Sequence, residues 1–141
     1  MNTENDLFKH KELTEKIIGC FYDVYNELGF GFLECVYHES MVLLLRERGL
    51  IVESRVKIPV LFRGVQVGLF EADVFVERKV VLELKASDTL HSANEAQLLN
   101  YLKATEIEVG LLLNFGPKPK FKRLAFDNTR KRLRPPIERK D

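Results

Sequence analysis

Two apolar runs joined by a very short charged link constrain this chain more than any other feature of its sequence. Leu69-Phe70-Glu71-Ala72-Asp73-Val74-Phe75-Val76 comes first, and Val80-Val81-Leu82-Glu83-Leu84-Lys85-Ala86 follows after Glu77-Arg78-Lys79. Runs rich in β-branched and aromatic residues around a tight link read as a β-hairpin. Alternate residues of a strand share a face, so Glu83 and Lys85 point one way and Val80, Leu82, Leu84 and Ala86 the other. Charged side chains inside a central strand are costly unless they are paired or hold a metal. The hairpin brings Asp73 next to them, giving two carboxylates and one amine in one place.

The remaining pattern supplies a setting for that hairpin. Leu13, Ile17, Phe21, Val24 and Leu28 recur at helical spacing and predict an amphipathic helix over 11–28. Gly29-Phe30-Gly31 interrupts it, and a second helix is expected from Leu33 to Arg48, with Tyr37, Met41, Leu44 and Leu45 on one side and Gly49 as its stop. Strands are expected over 51–62, 107–115 and 121–126, with Arg63-Gly64 as a turn, and a third helix over Ser92–Ala104. The order α-α-β-β-β-α-β-β predicts an α/β fold, a mixed sheet with helices packed on it.

With 141 residues, 45% hydrophobic and 30% charged, the chain suits one ordered domain, here expected over 1–128, and not a disordered protein. No apolar run is long enough to span a bilayer, and the first residues do not resemble a signal peptide, so a cytoplasmic location is expected. Cys20 and Cys35, both within helical patterns, read as two buried structural thiols and not as part of an iron–sulfur cluster. The net charge of +1 is unevenly spread. Residues 117–141 carry ten Lys/Arg against three Asp/Glu, and the remaining residues are net acidic. Residues 129–141 are expected to form a flexible basic tail, able to attract phosphate backbones or simply solvated.

Two carboxylates favour a hard cation, Mg²⁺ or Mn²⁺. Asp73 and Glu83 are the candidate ligands, and the backbone carbonyl of Leu84 could add another. Lys85 could orient an attacking water or stabilise developing negative charge. The alternative is an ion pair at a strand end. Gln97 and Tyr101, four residues apart on the third helix, share a face with Ala93 and Ala104, small residues that would let that side approach the sheet, whereas Leu98, Leu99 and Leu102 lie to another side. Glu34 in a first helical turn complements the helix dipole, or serves as a third acidic group at the site. The histidines His10, His38 and His91 are scattered; His91 could line the site or be a solvated loop residue. Gly29-Phe30-Gly31 follows a helix and fails the context test for a phosphate loop.

Taken together, Asp73, Glu83 and Lys85 resemble the PD-(D/E)XK nuclease signature, with Ala72 where Pro often precedes the Asp. Gln97-Leu98-Leu99-Asn100-Tyr101 resembles the QxxxY element of one of its branches, and Gly31 through Tyr37 matches the GxxExxY motif of a small family within it. The resemblance spans roughly residues 10–126. It implies a restriction-endonuclease-like core, a divalent metal on Asp73 and Glu83, a catalytic Lys85, assistance from Glu34, and support of the site or nucleic-acid contact by Gln97 and Tyr101. The expected function is a metal-dependent nuclease acting on nucleic acid, DNA first, with a homodimer left open. Two competing expectations are a non-catalytic nucleic-acid-binding or assembly module on the same fold and a metal-dependent small-molecule phosphohydrolase.

Overall fold

The computed structural model describes residues 10–131. Helices α1 (Lys11–Leu28) and α2 (Glu34–Glu47) precede strands β1 (Val52–Phe62), β2 (Val65–Val76) and β3 (Val80–Lys85). Helix α3 (Ser92–Ala104), strands β4 (Val109–Phe115) and β5 (Pro119–Ala125) and a short 3₁₀ turn (Asn128–Arg130) complete the described chain. The basic cluster beyond Lys131 and most of the expected tail lie outside the described residues.

The five strands form one sheet in the order β1-β2-β3-β4-β5, antiparallel except for the parallel β3–β4 pair. Parallel neighbours need a long crossover, and α3 supplies it. The sheet is therefore mixed and covered on both faces, as expected. On one face, Val74, Val76, Val80, Leu82, Leu84, Leu111 and Leu113 pack against Ile17, Phe21, Tyr37 and Met41 of α1 and α2. On the other, Ala72, Val81 and Leu112 pack against Leu98 and Leu102 of α3. The alternation along Val80–Lys85 sends Glu83 and Lys85 to the α3 side, opposite Leu82 and Leu84.

Three details depart from the pattern-based expectation. The stripe of α3 that meets the sheet is Leu98 and Leu102, whereas Ala93 and Gln97 are exposed. The small residue that permits the approach is on the sheet: a Cβ at Gly110 would stand 3.2 Å from Leu98 and Val81 side-chain carbons. Burying two leucines removes more apolar area than burying an alanine and a glutamine, which decides the rotation of the helix. Second, Cys20 is buried but Cys35 is exposed, on the solvent side of the first turn of α2. Third, β1 and β2, joined by the Arg63-Gly64 turn as expected, extend as a long ribbon past the core, and Phe62, Val65, Val67 and Leu69 there are exposed.

The β1–β2 ribbon also twists where the sequence shows only alternation. Phe70 and Ala72 face α3, but Val74 and Val76 face α1 and α2. The switch falls at Asp73, opposite Arg55, which adopts a left-handed φ of 54°. Beyond Val74 and Leu82, β2 and β3 no longer pair, so Asp73 stands where the two strands fork.

Candidate metal and nucleic-acid site

The fork is closed by side chains. Asp73 Oδ2 accepts a 2.8 Å hydrogen bond from the Leu84 amide, which the departing β2 backbone leaves without a ladder partner. The Asp73 amide in turn donates, at 3.5 Å, to Glu83 Oε1. Asp73 and Glu83 therefore adjoin, linked by the Asp73 amide and the Glu83 carboxylate, with the Asp73 carboxylate on the next residue, Leu84. In an extended strand the N–H and C=O of one residue point to the same side. The Leu84 carbonyl is thus directed into the same gap as its amide, while its side chain is buried in the α1–α2 core.

Glu83 is the electrostatically strained member. Burial and then repulsion from Asp73, with a smaller contribution from Glu34, push its carboxyl up to about 8, against the hydrogen bond from Asp73 and the attraction of Lys85. Glu34 is held above the usual carboxylate range mainly by partial desolvation, although its residue surface is largely exposed. Lys85 and His38 pull it down and Asp73 pushes it up, so these three groups act on it. Crowded carboxylates that resist ionisation are what a bound cation would relieve.

A cleft of about 150 Å³ opens on the α3 side. Glu83 and Lys85 form its sheet wall, and Gln97 and Tyr101 its helix wall, with Asn94, Glu71, Phe70 and Leu98 around them. Four of the expected site residues share this cleft. Asp73 adjoins it through Glu83, and Glu34 approaches from the α2 side without lining it. The Tyr101 ring is stacked on Phe70 at 4.0 Å and 13°, which fixes its plane. His91 is an exposed residue just before α3 and does not line the cleft.

The GxxExxY segment has a local physical explanation. Gly31 has a φ of 117°, a conformation open to glycine. The buried Tyr37 hydroxyl donates to the Gly29 carbonyl at 2.5 Å and accepts from the Phe32 amide at 3.2 Å, and its ring stacks on Phe115 at 4.3 Å. Tyr37 thus locks the α1–α2 loop and sets the start of α2, where Glu34 sits.

Four residues near the site were not selected from sequence. Glu71 and Asn94 line the cleft. The buried His38 ring sits 2.9 Å from the Asp73 carbonyl through Nε2, with Ser54 Oγ 3.0 Å away, so α2 grips the fork directly. The buried Asn114 side chain accepts from the Ser87 amide at 3.1 Å and donates to the Ser87 carbonyl at 3.0 Å, tying down the exit of β3 after Lys85. For His38 the sequence carries one signal, its four-residue spacing from Glu34 on α2; the others become visible only with the strand register.

A family model of the PD-(D/E)XK nuclease superfamily matches residues 11–124. The chain belongs to the PD-(D/E)XK nuclease superfamily. The fold is also that of a solved protein, the crystal structure of SSO0001, with a TM-score of 0.52 and 20% sequence identity. The match covers 67% of this chain and 50% of that one, so the chain spans half the length of that protein. No curated protein matches. The architecture is accordingly the restriction-endonuclease-like core that the motif order implied, and members of this superfamily generally use divalent metals. Among the described residues no helix is long and apolar enough to cross a membrane.

Among the described residues there is no cluster of three or more His, Cys, Asp or Glu side chains arranged to hold a metal. Mg²⁺ does not require one: it keeps several waters and is commonly held by one or two carboxylates together with substrate phosphate. Two all-oxygen side chains plus a backbone carbonyl, with a carboxylate destabilised by its acidic neighbours, fit a hard divalent cation.

Proposed function

We propose that this protein is a metal-dependent nuclease of the GxxExxY group within the superfamily, cleaving phosphodiester bonds in DNA. The observation that carries the reading is the convergence of Glu83, Lys85, Gln97 and Tyr101 on one cleft, with Asp73 joined to Glu83 behind it. Asp73, Glu83 and the Leu84 carbonyl would hold Mg²⁺ or Mn²⁺. Such a cation, when bound, lowers the pKa of coordinated water and offsets charge on the phosphoryl group.

The chain's own residues do the remaining work. Lys85 is adjacent to Glu83 on the same strand face and open to the cleft. Its ammonium orients the attacking water and stabilises negative charge as it develops on the phosphoryl oxygens. Gln97 and Tyr101 offer amide and hydroxyl donors from the opposite wall, positioned to hold a non-bridging phosphate oxygen. Glu34 adds negative potential that favours cation entry. The cleft's 150 Å³ is well below the several hundred Å³ of pockets that enclose a small ligand, which disfavours a small-molecule phosphohydrolase.

The test is incubation of labelled single- and double-stranded DNA, and of RNA, with the protein and Mg²⁺ or Mn²⁺, against an EDTA control. Cation-dependent cleavage is expected. Binding without cleavage of any of these substrates would replace this reading with the non-catalytic binding module.

A further inference from the structure

A nuclease of this kind needs a basic surface to hold the polyanion, yet the cleft is lined by two carboxylates and one lysine. The strand register shows where such a surface exists. On the α3 face, Lys85 of β3 lies beside Asn114 of β4, which lies beside Lys120 of β5. The neighbouring row is Glu83, Leu112 and Lys122. Leu112 belongs to the α3-side core, and Lys122 reaches Glu95 of α3 at 3.6 Å, which confirms the face that these rows share. Two inter-strand spacings, about 10 Å, separate Lys85 from Lys120.

The lysines differ in availability. Lys122 is spent on Glu95. Lys118 and Lys120 are exposed and form no ion pair among the described residues. Lys118 sits between Pro117 and Pro119, whose fixed φ holds this segment in one course at the end of the edge strand.

We propose that Lys118 and Lys120 form a phosphate-contact track, which takes the nucleic-acid backbone from the cleft side of the molecule to the β5 edge of the sheet. This rests on the nuclease reading above and adds the course of the substrate. Both lysines lie at the β5 end of the row that begins at Lys85, and their charge complements a phosphate backbone. Glu95 acts as a brake on it by neutralising Lys122, the third lysine of this segment.

The experiment is fluorescence anisotropy of a labelled oligonucleotide, single-stranded and duplex, in EDTA, across a salt series. The proteins are wild type, the double variant Lys118→Ala/Lys120→Ala, and Glu95→Gln. Each phosphate contact contributes about 0.7–0.9 to the slope of log affinity against log salt. The double variant should lose about 1.4–1.8 from that slope, while Glu95→Gln should gain up to about 0.9 and bind more tightly, an outcome that misfolding does not mimic. If wild type cleaves DNA but all three proteins bind with the same slope, the lysines only deter edge-to-edge strand pairing and the track is wrong. If wild type neither binds nor cleaves, the nuclease reading falls first and the track with it.

Discussion

At the scale of single residues, Glu83 concentrates the energetic cost of the site. Its carboxyl is raised from an ordinary 4.5 to about 8 by burial and by Asp73. The folded protein therefore holds a proton there that the unfolded chain releases above the ordinary value. Stability from this group is fully present below about pH 4.5 and is lost as pH rises towards 8, by an amount on the order of a few kcal/mol. Thermal unfolding of the metal-free protein should thus show a falling Tm over that window. Glu83→Gln should flatten the fall and raise Tm at pH 8; a variant with the wild-type pH profile would remove Glu83 as its source. Mn²⁺ competes with the same proton, so the Tm gain on adding it should be larger at pH 8 than at pH 5. Tyr37 carries a different kind of cost. Tyr37→Phe keeps the ring stacking on Phe115 but leaves the Gly29 carbonyl and the Phe32 amide without their partner. A loss of about 1–3 kcal/mol in denaturant unfolding is expected, with reduced cleavage because the loop that presents Glu34 loosens. An unchanged stability would mean that those backbone groups find water instead.

At the scale of elements, the site exists because β2 and β3 stop pairing after Val74 and Leu82 and the gap is filled by Asp73. The hairpin was legible from the two apolar runs and their charged link, and so was the meeting of Asp73 with Glu83. The fork was not. It depends on a twist at Arg55 and Asp73 that switches both strands between faces without adding or removing a residue, and an alternation pattern in β1 or β2 alone gives no sign of it. Helix α3 shows a similar limit. Gln97 and Tyr101 could be paired from their spacing, but the rotation of the helix is set by Leu98 and Leu102 against Gly110, a contact between segments that a single-element pattern cannot register. That contact makes a prediction. In Gly110→Ala the new methyl group would press on Leu98 and Val81 at 3.2 Å. The variant should be less stable by about 1–3 kcal/mol and should cleave more slowly, since α3 carries one wall of the cleft. Full activity with full stability would show that the helix can shift without cost to the site.

At the scale of the whole molecule, the two helical layers divide the labour. Helices α1 and α2 bury one sheet face, and through His38 and Glu34 they hold and polarise the fork from behind. Helix α3 covers the other face only in part, leaving the cleft and the β5 lysines on the open side. The order of elements and the motifs were enough to anticipate this architecture, because each helix and each core strand carries its own period. What they could not give is the direction in which a polyanion crosses the molecule, which follows from strand order and register and not from any local pattern. The central claim is that Lys85 works on a cation-loaded centre formed by Asp73 and Glu83, and that it contributes to the reaction and not to the fold. One measurement tests it most directly: Mn²⁺-dependent cleavage of labelled DNA by wild type and by Lys85→Ala, with unfolding and Mn²⁺ binding recorded on the same preparations. The account predicts that Lys85→Ala stays folded, binds Mn²⁺ and loses at least about a hundredfold in rate, the scale seen when a transition-state charge stabiliser is removed. Wild-type cleavage rates in Lys85→Ala would contradict it.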